Sequence, residues 1–293
     1  MSSVNCPIVV LDSGLGGLTV VRALRRALPH EDIVYFGDTA RVPYGPKSAA
    51  TVTTFVHEII SYLLPYDPKH VVIACNTATA LALPTVRTAF PYLSISGVID
   101  PGARAAVEAA GQRQHPIIGI IGTEATIRSR AYERAVIRRR QYARLVCLAT
   151  PLLVPIIEEG RSPDDPLVVM AVEQYLRPLI QRRIDVLVLG CTHYPLYKGL
   201  IARVVGPQVA VIDSAEKCAE DVLRRLRASN LQRQPRPESA SLRCFVTDDS
   251  PRFATLAARF LGLNVPPPQW VPLEELHAHG PARAGRLSLR PVV

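Results

Sequence analysis

The sequence has few cysteines, no paired cysteine motif and no long apolar run. Its six cysteines, among 293 residues, are scattered and never form a C-x-x-C pair, which argues against a disulfide framework and a zinc ribbon. No apolar run approaches the roughly 18 residues that span a bilayer. The first residues also lack the pattern of a secretion signal, in which basic residues precede an apolar segment. We therefore expect a cytoplasmic protein with reduced thiols and no membrane partner.

Aromatic residues are also scarce, at 6%, whereas basic residues are in excess and leave a formal net charge of +9. Arginines cluster at 138–140 and again at 224, 225 and 227. A basic surface attracts nucleic acids and small anions. The clusters lie in helix-like segments with few aromatics and match no DNA-binding motif, so we interpret them as solvated helix faces. Direct nucleic-acid binding is not expected, although a module that contacts DNA or a DNA-associated enzyme stays open as an alternative.

Short runs rich in Val and Ile recur along the chain and are separated by helix-like segments. Strands that are covered on both faces need such continuous apolarity, which is typical of parallel sheets. Between the runs, apolar residues over 52–64 repeat at i, i+3, i+4 spacing, as in an amphipathic helix. The pattern predicts an α/β fold with mainly parallel sheets. The predicted strands are 7–11, 33–37, 70–74, 117–122, 145–148, 184–190 and 208–212.

The two halves of the chain carry similar strand-end motifs in the same order. The first half has LDSG and IACNT, and the second half has IIGT and VLGCT. We interpret this as a pseudo-repeat, which predicts two pseudo-symmetric α/β domains whose strand ends meet at a shared cleft. Ligands of open α/β sheets bind at such carboxyl ends, so we expect the active site in the cleft.

Cysteines stand at two of these strand ends, Cys75 and Cys191, each followed by hydrogen-bonding side chains. Backbone N–H groups at a helix start can bind a carboxylate and favour thiolate over thiol. Inverting a stereocentre that bears hydrogen requires a base on one face and an acid on the other, because one fixed base cannot reach both. Two opposed cysteines, one thiolate and one thiol, would meet that requirement.

Other interpretations of the two cysteines remain open. Each could be a small buried core residue. A metal site formed by Cys75, Cys191 and His193 is a further alternative, but it lacks the usual structural-zinc spacing, and we predict no metal.

The glycine-rich turn after the first strand, in VLDSGLGGLTVVRAL, suggests a dinucleotide site at first sight. Thr19 stands where the last glycine of the fingerprint belongs, and the P-loop lysine is missing, so we expect no nucleotide there. Asp12 and Ser13 could bind an ammonium group and a carboxylate or orient a neighbouring thiol, or Asp12 could simply cap the turn. The loop 35–48 could likewise bind a ligand or be an ordinary surface turn.

A whole ordered series of motifs resembles glutamate racemase: DSGLGG, YFGDTARVPYGPKS, ACNTATA, IGTEATIRSRAY, PLLVPIIEEG and LGCTHYPL. The resemblance runs from residue 8 to about 200 and continues in RFATLAARFLG. It implies a cofactor-independent enzyme that interconverts L- and D-glutamate and supplies the D-isomer for peptidoglycan in cell-wall biogenesis. It also implies a frequent homodimer and leaves regulation by a cell-wall precursor open.

The resemblance assigns roles to particular residues. Cys75 and Cys191 would be the acid/base pair, with Cys75 deprotonating D-glutamate and Cys191 L-glutamate. Thr150 stands where the family commonly has a cysteine, which does not affect the pair. The residues expected to bind substrate or tune the thiols are Asp12, Ser13, Tyr44, Gly45, Asn76, Thr77, Thr192 and His193, with Thr123 and Glu158 in support. An aspartate racemase is the near alternative, because one methylene changes binding by only about 1–3 kcal/mol.

Domain boundaries follow from the same resemblance. We expect a first domain of residues 1–97 plus 209–265, a second of 98–208, and a C-terminal tail over 266–293. We also predict a surface loop over 227–241 and poor order in the last 15 or so residues.

Overall fold

The computed structural model describes residues 3–236, 239–248, 253–262 and 265–280. The first part of the chain forms β1 (Ile8–Asp12), α1 (Leu18–Ala27), β2 (Ile33–Gly37), α2 (Ala49–Leu63), β3 (His70–Ile73), α3 (Asn76–Ala89), β4 (Ile95–Gly97) and α4 (Ile99–Ala109). The middle forms β5 (Ile117–Gly122), α5 (Glu124–Arg128), α6 (Ala131–Ile137), β6 (Arg144–Ala149), α7 (Leu153–Glu158), α8 (Pro166–Gln181), β7 (Val186–Gly190) and α9 (Lys198–Val205). The last part forms β8 (Ala210–Asp213), α10 (Ser214–Ala228), β9 (Leu242–Val246), α11 (Phe253–Leu261), β10 (Gln269–Trp270) and α12 (Leu273–His277).

The strands form two parallel sheets, so the predicted α/β class is confirmed. The first sheet has the order β10-β9-β2-β1-β3-β4 and the second the order β6-β5-β7-β8. Strands β1, β2, β3 and β7 are buried at every position, because helices cover both faces. All carboxyl ends within a sheet therefore lie along one edge.

Strand β8 corrects the predicted boundary at residue 209. It pairs with β7, with Val186 opposite Ala210, and so belongs to the second sheet. The chain returns to the first sheet only at β9, which pairs with β2. An apolar run shows that a strand is buried but carries no signal for which sheet it joins, so the sequence pattern could not place β8.

The expected tail is also partly ordered into the fold. Strand β10 pairs with β9, and Val271 and Leu276 are buried against the core. The expected tail therefore contains a strand over Gln269–Trp270 and a helix over Leu273–His277. The part of it after residue 280 lies outside the described residues. The predicted loop 227–241 starts about as expected, since α10 ends at Ala228, and its residues 237 and 238 are not among those described.

One apolar core joins the two sheets. It contains buried residues of the first sheet, such as Val10 and Val246, together with Ile121 and Leu189 of the second. The two sheets are therefore packed as parts of one body around a shared interior. Among the helices of the described ranges, none combines the length and apolarity needed to span a bilayer.

Candidate active site

A small cavity lies where the carboxyl ends of the two sheets meet. Its volume is about 50 Å³. All the predicted site residues line it except Asp12, which is buried but does not reach the lining. The lining residues are Ser13, Val42, Pro43, Tyr44, Gly45, Cys75, Asn76, Thr77, Thr123, Val154, Glu158, Cys191, Thr192 and His193.

Cys75 follows β3 and caps the start of α3. Its Sγ accepts a hydrogen bond from the backbone N–H of Ala78 at 3.4 Å. Burial and, after it, the nearby Asp12 carboxylate raise the pKa of the Cys75 thiol to about 12, although hydrogen bonds from Ser13 and Ala78 lower it. Cys75 is therefore a thiol at neutral pH.

Asp12 ends β1 and lies near enough to Cys75 for its charge to raise the pKa of that thiol. One carboxylate oxygen, Oδ2, accepts from the N–H of Gly14 at 3.0 Å. The other, Oδ1, is buried and has no hydrogen-bond partner among the described residues. Burial raises the pKa of Asp12, while the charge of His193 lowers it. Asp12 therefore caps the turn after β1, as one of the two interpretations predicted. Its carboxylate also raises the pKa of Cys75.

Cys191 follows β7 and has a different neighbour. The Nδ1 atom of His193 lies 3.8 Å from its Sγ, and the Nε2 atom of His193 lies 2.8 Å from Oε1 of Glu158. Burial lowers the pKa of His193, but its contacts with Cys191 and Glu158 raise it more, to about 10. The imidazole is therefore protonated at neutral pH, and it stabilises negative charge on the sulfur.

Hydrogen bonds between the two halves hold the helix starts around the cavity. The hydroxyls of Thr77 and Thr123 lie 2.8 Å apart. Thr123 caps α5, as it accepts from the N–H of Thr126. The Tyr132 hydroxyl donates to Oδ1 of Asn76 at 2.8 Å and so fixes the orientation of the amide. The Asn76 Nδ2 has no partner among the described residues, which makes it a donor for an anionic ligand.

The glycine-rich turn after β1 packs against the second sheet. The Thr19 hydroxyl donates to the backbone oxygen of Thr192 at 2.9 Å. A Cβ on Gly16 would lie 2.3 Å from Oγ1 of Thr192 and 2.5 Å from Nδ1 of His193. Glycine is required at this position for close packing, which explains the motif without a nucleotide.

The loop 35–48 is not an ordinary surface turn. Asp38, Arg41 and Tyr44 are buried, and the Tyr44 hydroxyl contacts the Asp38 carboxylate. Arg41 pairs with Asp38 at 2.7 Å and also pairs with Glu58 of α2. This network anchors Tyr44 in the cavity wall.

Three lining residues were missed by sequence reasoning: Val42, Pro43 and Val154. Apolar side chains have no chemical signature that separates a cavity wall from a core. The available signal was their position, since two precede Tyr44 directly and the third lies in the PLLVP motif.

Comparisons with known proteins find similar sequences over most of the chain. A family model described as Asp/Glu/Hydantoin racemase matches residues 16–222. A glutamate racemase of Syntrophus aciditrophicus is 46% identical over 260 residues, which cover 89% of this chain and 94% of the relative.

Solved structures give the same result. The crystal structure of glutamate racemase from Francisella tularensis in complex with D-glutamate matches with a TM-score of 0.84 and 33% identity, covering 92% of this chain and 99% of that one. Escherichia coli glutamate racemase, in complex with L-glutamate and the activator UDP-MurNAc-Ala, matches with a TM-score of 0.67 and 27% identity, covering 87% and 94% of the two chains.

Proposed function

This chain belongs to the Asp/Glu/Hydantoin racemase family, and we propose that it is a glutamate racemase that interconverts L- and D-glutamate without a cofactor. One observation carries the proposal: cysteines from the strand ends of two sheets line the same cavity, one near the Asp12 carboxylate and the other beside the His193 imidazole. Relatives that are glutamate racemases, in sequence and in structure, identify the substrate.

Conversion of L-glutamate would begin at Cys191. Its thiolate, beside protonated His193, removes the α-proton from one face of the substrate. The Cys75 thiol then donates its proton to the opposite face of the α-carbon, which gives D-glutamate. The product state has a Cys191 thiol and a Cys75 thiolate. It returns D-glutamate to L-glutamate by the reverse steps, or exchanges protons with solvent after product release.

Substrate contacts would come from groups around the helix starts. Asn76 Nδ2 and the start of α3, a helix of 14 residues, suit a carboxylate because both present N–H donors. Asp12 would act through Cys75, and Glu158 through His193, without touching the substrate. The remaining proposed contacts are Ser13, Tyr44, Gly45, Thr77, Thr192 and His193, with Thr123 in support.

The proposal also covers the domain organisation, the cellular role and the assembly of the enzyme. We propose that the chain has two domains, each built on one sheet, with β5–β8 in the second. We propose a cytoplasmic enzyme that supplies D-glutamate for peptidoglycan and acts as a homodimer. Regulation by a cell-wall precursor, as the E. coli relative's complex with its activator suggests, and the absence of a nucleic-acid partner stay predictions.

Chiral analysis after incubation with L-glutamate and no added cofactor tests the proposal. We expect D-glutamate to accumulate toward an equal mixture, and in deuterated water the new isomer should carry deuterium at the α-carbon. L-aspartate in a parallel reaction should turn over much more slowly. Faster turnover of aspartate would reassign the substrate, and inversion without label at the α-carbon would contradict the two-base mechanism.

A further inference from the structure

The imidazole of His193 has one short hydrogen bond. Its Nε2 atom lies 2.8 Å from Oε1 of Glu158. Its Nδ1 atom lies 3.8 Å from Sγ of Cys191 and 3.5 Å from Oγ1 of Thr192, and the second distance exceeds the usual range of about 2.7–3.2 Å. A ring held at one nitrogen still rotates about χ2, which is a soft torsion in histidine. Packing must therefore hold the plane of this ring.

Two packing contacts restrict the imidazole. The first is with the glycine-rich turn, where a Cβ on Gly16 would lie 2.5 Å from Nδ1 and 2.6 Å from Cε1 of His193. The second is with Phe260 of α11, whose ring centroid lies 5.1 Å from that of His193 with an angle of 83° between the planes. This T-shaped arrangement is one that aromatic pairs prefer. Phe260 is fully buried, so the contact belongs to a close-packed interior.

Arg259, the residue before Phe260, contacts the turn that follows Glu158. Its Nη2 atom donates to the backbone oxygen of Arg161 at 3.2 Å. The backbone of Gly160 has a φ of +86°, and a Cβ there would lie 2.7 Å from Nη1 of Arg259. Neighbouring residues of α11 therefore contact the imidazole and the turn next to its carboxylate partner.

Helix α11 connects the two sheets at this point. It lies between β9 and β10 in the chain, and both strands belong to the first sheet. It also packs against α1, which follows the glycine-rich turn. His193, in contrast, follows β7 of the second sheet. A helix between two strands of one sheet thus contacts a site residue that the other sheet carries.

We infer that Phe260 is a positioning residue for racemisation: its ring holds the imidazole of His193 with Nδ1 toward Cys191 and Nε2 toward Glu158. This inference rests on the proposed function. Phe260 acts through His193 and does not touch the substrate, and Arg259 supports the pair from the side of Glu158. Without the aromatic ring, the imidazole would rotate more freely, and the Cys191 thiolate would lose its fixed cationic neighbour.

NMR of the full chain with ¹⁵N-labelled histidine tests the inference without racemisation. The ring N–H protons of His193, identified by their loss in H193N, should exchange slowly with water because the ring is buried. We expect F260L to accelerate the exchange of both protons about tenfold, by local opening. R259Q changes a half-buried side chain and should fold even if F260L does not. It should accelerate mainly the Nε2 proton, which faces Glu158.

F253L is the matched control. Phe253 lies about two turns earlier on α11 and is buried in the same core. Among the described residues, its ring makes no aromatic contact with His193. F253L removes the same atoms from the same helix, so it should leave the exchange of the His193 protons unchanged. Equal exchange in wild type and F260L, or equal acceleration by F253L and F260L, would overturn the inference.

Steady-state kinetics with glutamate distinguish failure of this inference from failure of the proposed function. F260L should lower kcat about tenfold with a smaller change in KM, since misplacing a catalytic group by about 1 Å can cost up to roughly 10²-fold. F253L should leave both constants unchanged. A higher KM with unchanged kcat in F260L would contradict the positioning role. If wild type did not racemise glutamate, the proposed function would fail, and the exchange rates would still decide whether Phe260 holds the imidazole.

Discussion

The ends of β3 and β7 have the same backbone plan and opposite electrostatics. Each delivers a cysteine to the start of a helical segment at the edge of its sheet. At Cys75, burial and the Asp12 carboxylate disfavour the thiolate. At Cys191, protonated His193, held by Glu158, favours negative charge on the sulfur.

This difference shows how a nearly symmetric fold can place two identical side chains beside neighbours of opposite charge. A two-base racemase needs one thiolate and one thiol at the start of each turnover. The backbone supplies the mirrored positions, and one acidic or one basic neighbour makes their surroundings differ. The proposed role of Cys191 as the base toward L-glutamate rests on this difference.

Replacing either cysteine should have the largest effect on racemisation and should distinguish the role of Cys75 from that of Cys191. We expect C75A and C191A each to lower racemisation about 10³-fold or more, because general acid–base catalysis contributes up to about 10⁴-fold. In deuterated water, C75A should still exchange the α-proton of L-glutamate without inversion, whereas C191A should not. Proton NMR of the α-position measures this.

The control for this pair is C147A, which removes a partly exposed thiol outside the cavity. It should leave racemisation and exchange unchanged. If C191A exchanged L-glutamate and C75A did not, the assignment of the two faces would be reversed.

Replacing His193 tests the basic neighbour. We expect H193N to lower kcat/KM about 10²-fold in both directions, because the two free isomers have equal energy and the directions must fall together. The asymmetry should appear as a larger isotope effect with α-deuterated L-glutamate than with the D-isomer. E158Q should shift the isotope effects in the same direction but less.

His193 also predicts a pH dependence of stability. Its folded pKa of about 10 lies above the ordinary value of 6.5, so its stabilising charge is fully present below pH 6.5 and is lost as the pH rises toward 10. The difference in free energy of unfolding between wild type and H193N should shrink over this range, in denaturant titrations. A difference that grows with pH would contradict the charged state of His193.

Replacing Asp12 tests the acidic neighbour. D12N should lower the pKa of Cys75 from about 12 toward the ordinary thiol value, and so raise the rate of Cys75 alkylation at pH 8 about tenfold. Iodoacetamide labelling followed by peptide mass spectrometry measures the rate. D164N, at an exposed site, is the matched control. An unchanged Cys75 rate in D12N would mean that burial alone sets its protonation.

The smallest effect should come from Y132F, which leaves both cysteines and their charged neighbours in place. Without the hydroxyl, the Asn76 amide loses its fixed orientation, and we expect KM for glutamate to rise about fivefold, as for one hydrogen bond. The exposed Tyr142 gives the control variant Y142F. A fall in kcat with unchanged KM would show that Tyr132 serves the proton transfers instead.

Parts of the fold could be predicted because burial leaves a pattern in the sequence. Strand β3 is continuously apolar since helices cover both its faces. Strand β10 has two exposed residues and is held by its pairing with β9, so no local signal marks it. Strand β8 was recognised as a strand, but its apolar residues carry no signal for the strand with which it pairs, which is β7.

The candidate site could likewise be predicted only in part. The cysteines and the polar residues beside them could be predicted, because strand ends in an α/β fold converge. The ion pair of His193 with Glu158 joins residues 35 positions apart, so its strength could not be predicted from local sequence. The different surroundings of the two cysteines depend on such distances and on burial.

The pairing of β9 with β2 has a consequence for the order of events during synthesis. All strands of the second sheet follow one another in the chain, whereas one edge of β2 stays unpaired until residues 242–246 have emerged. At about 5–20 residues per second, that interval lasts roughly 10–40 seconds. An apolar parallel strand with an open edge is a site for aggregation or chaperone binding. The sheet that starts first is therefore completed last, and nascent chains are most vulnerable in that interval.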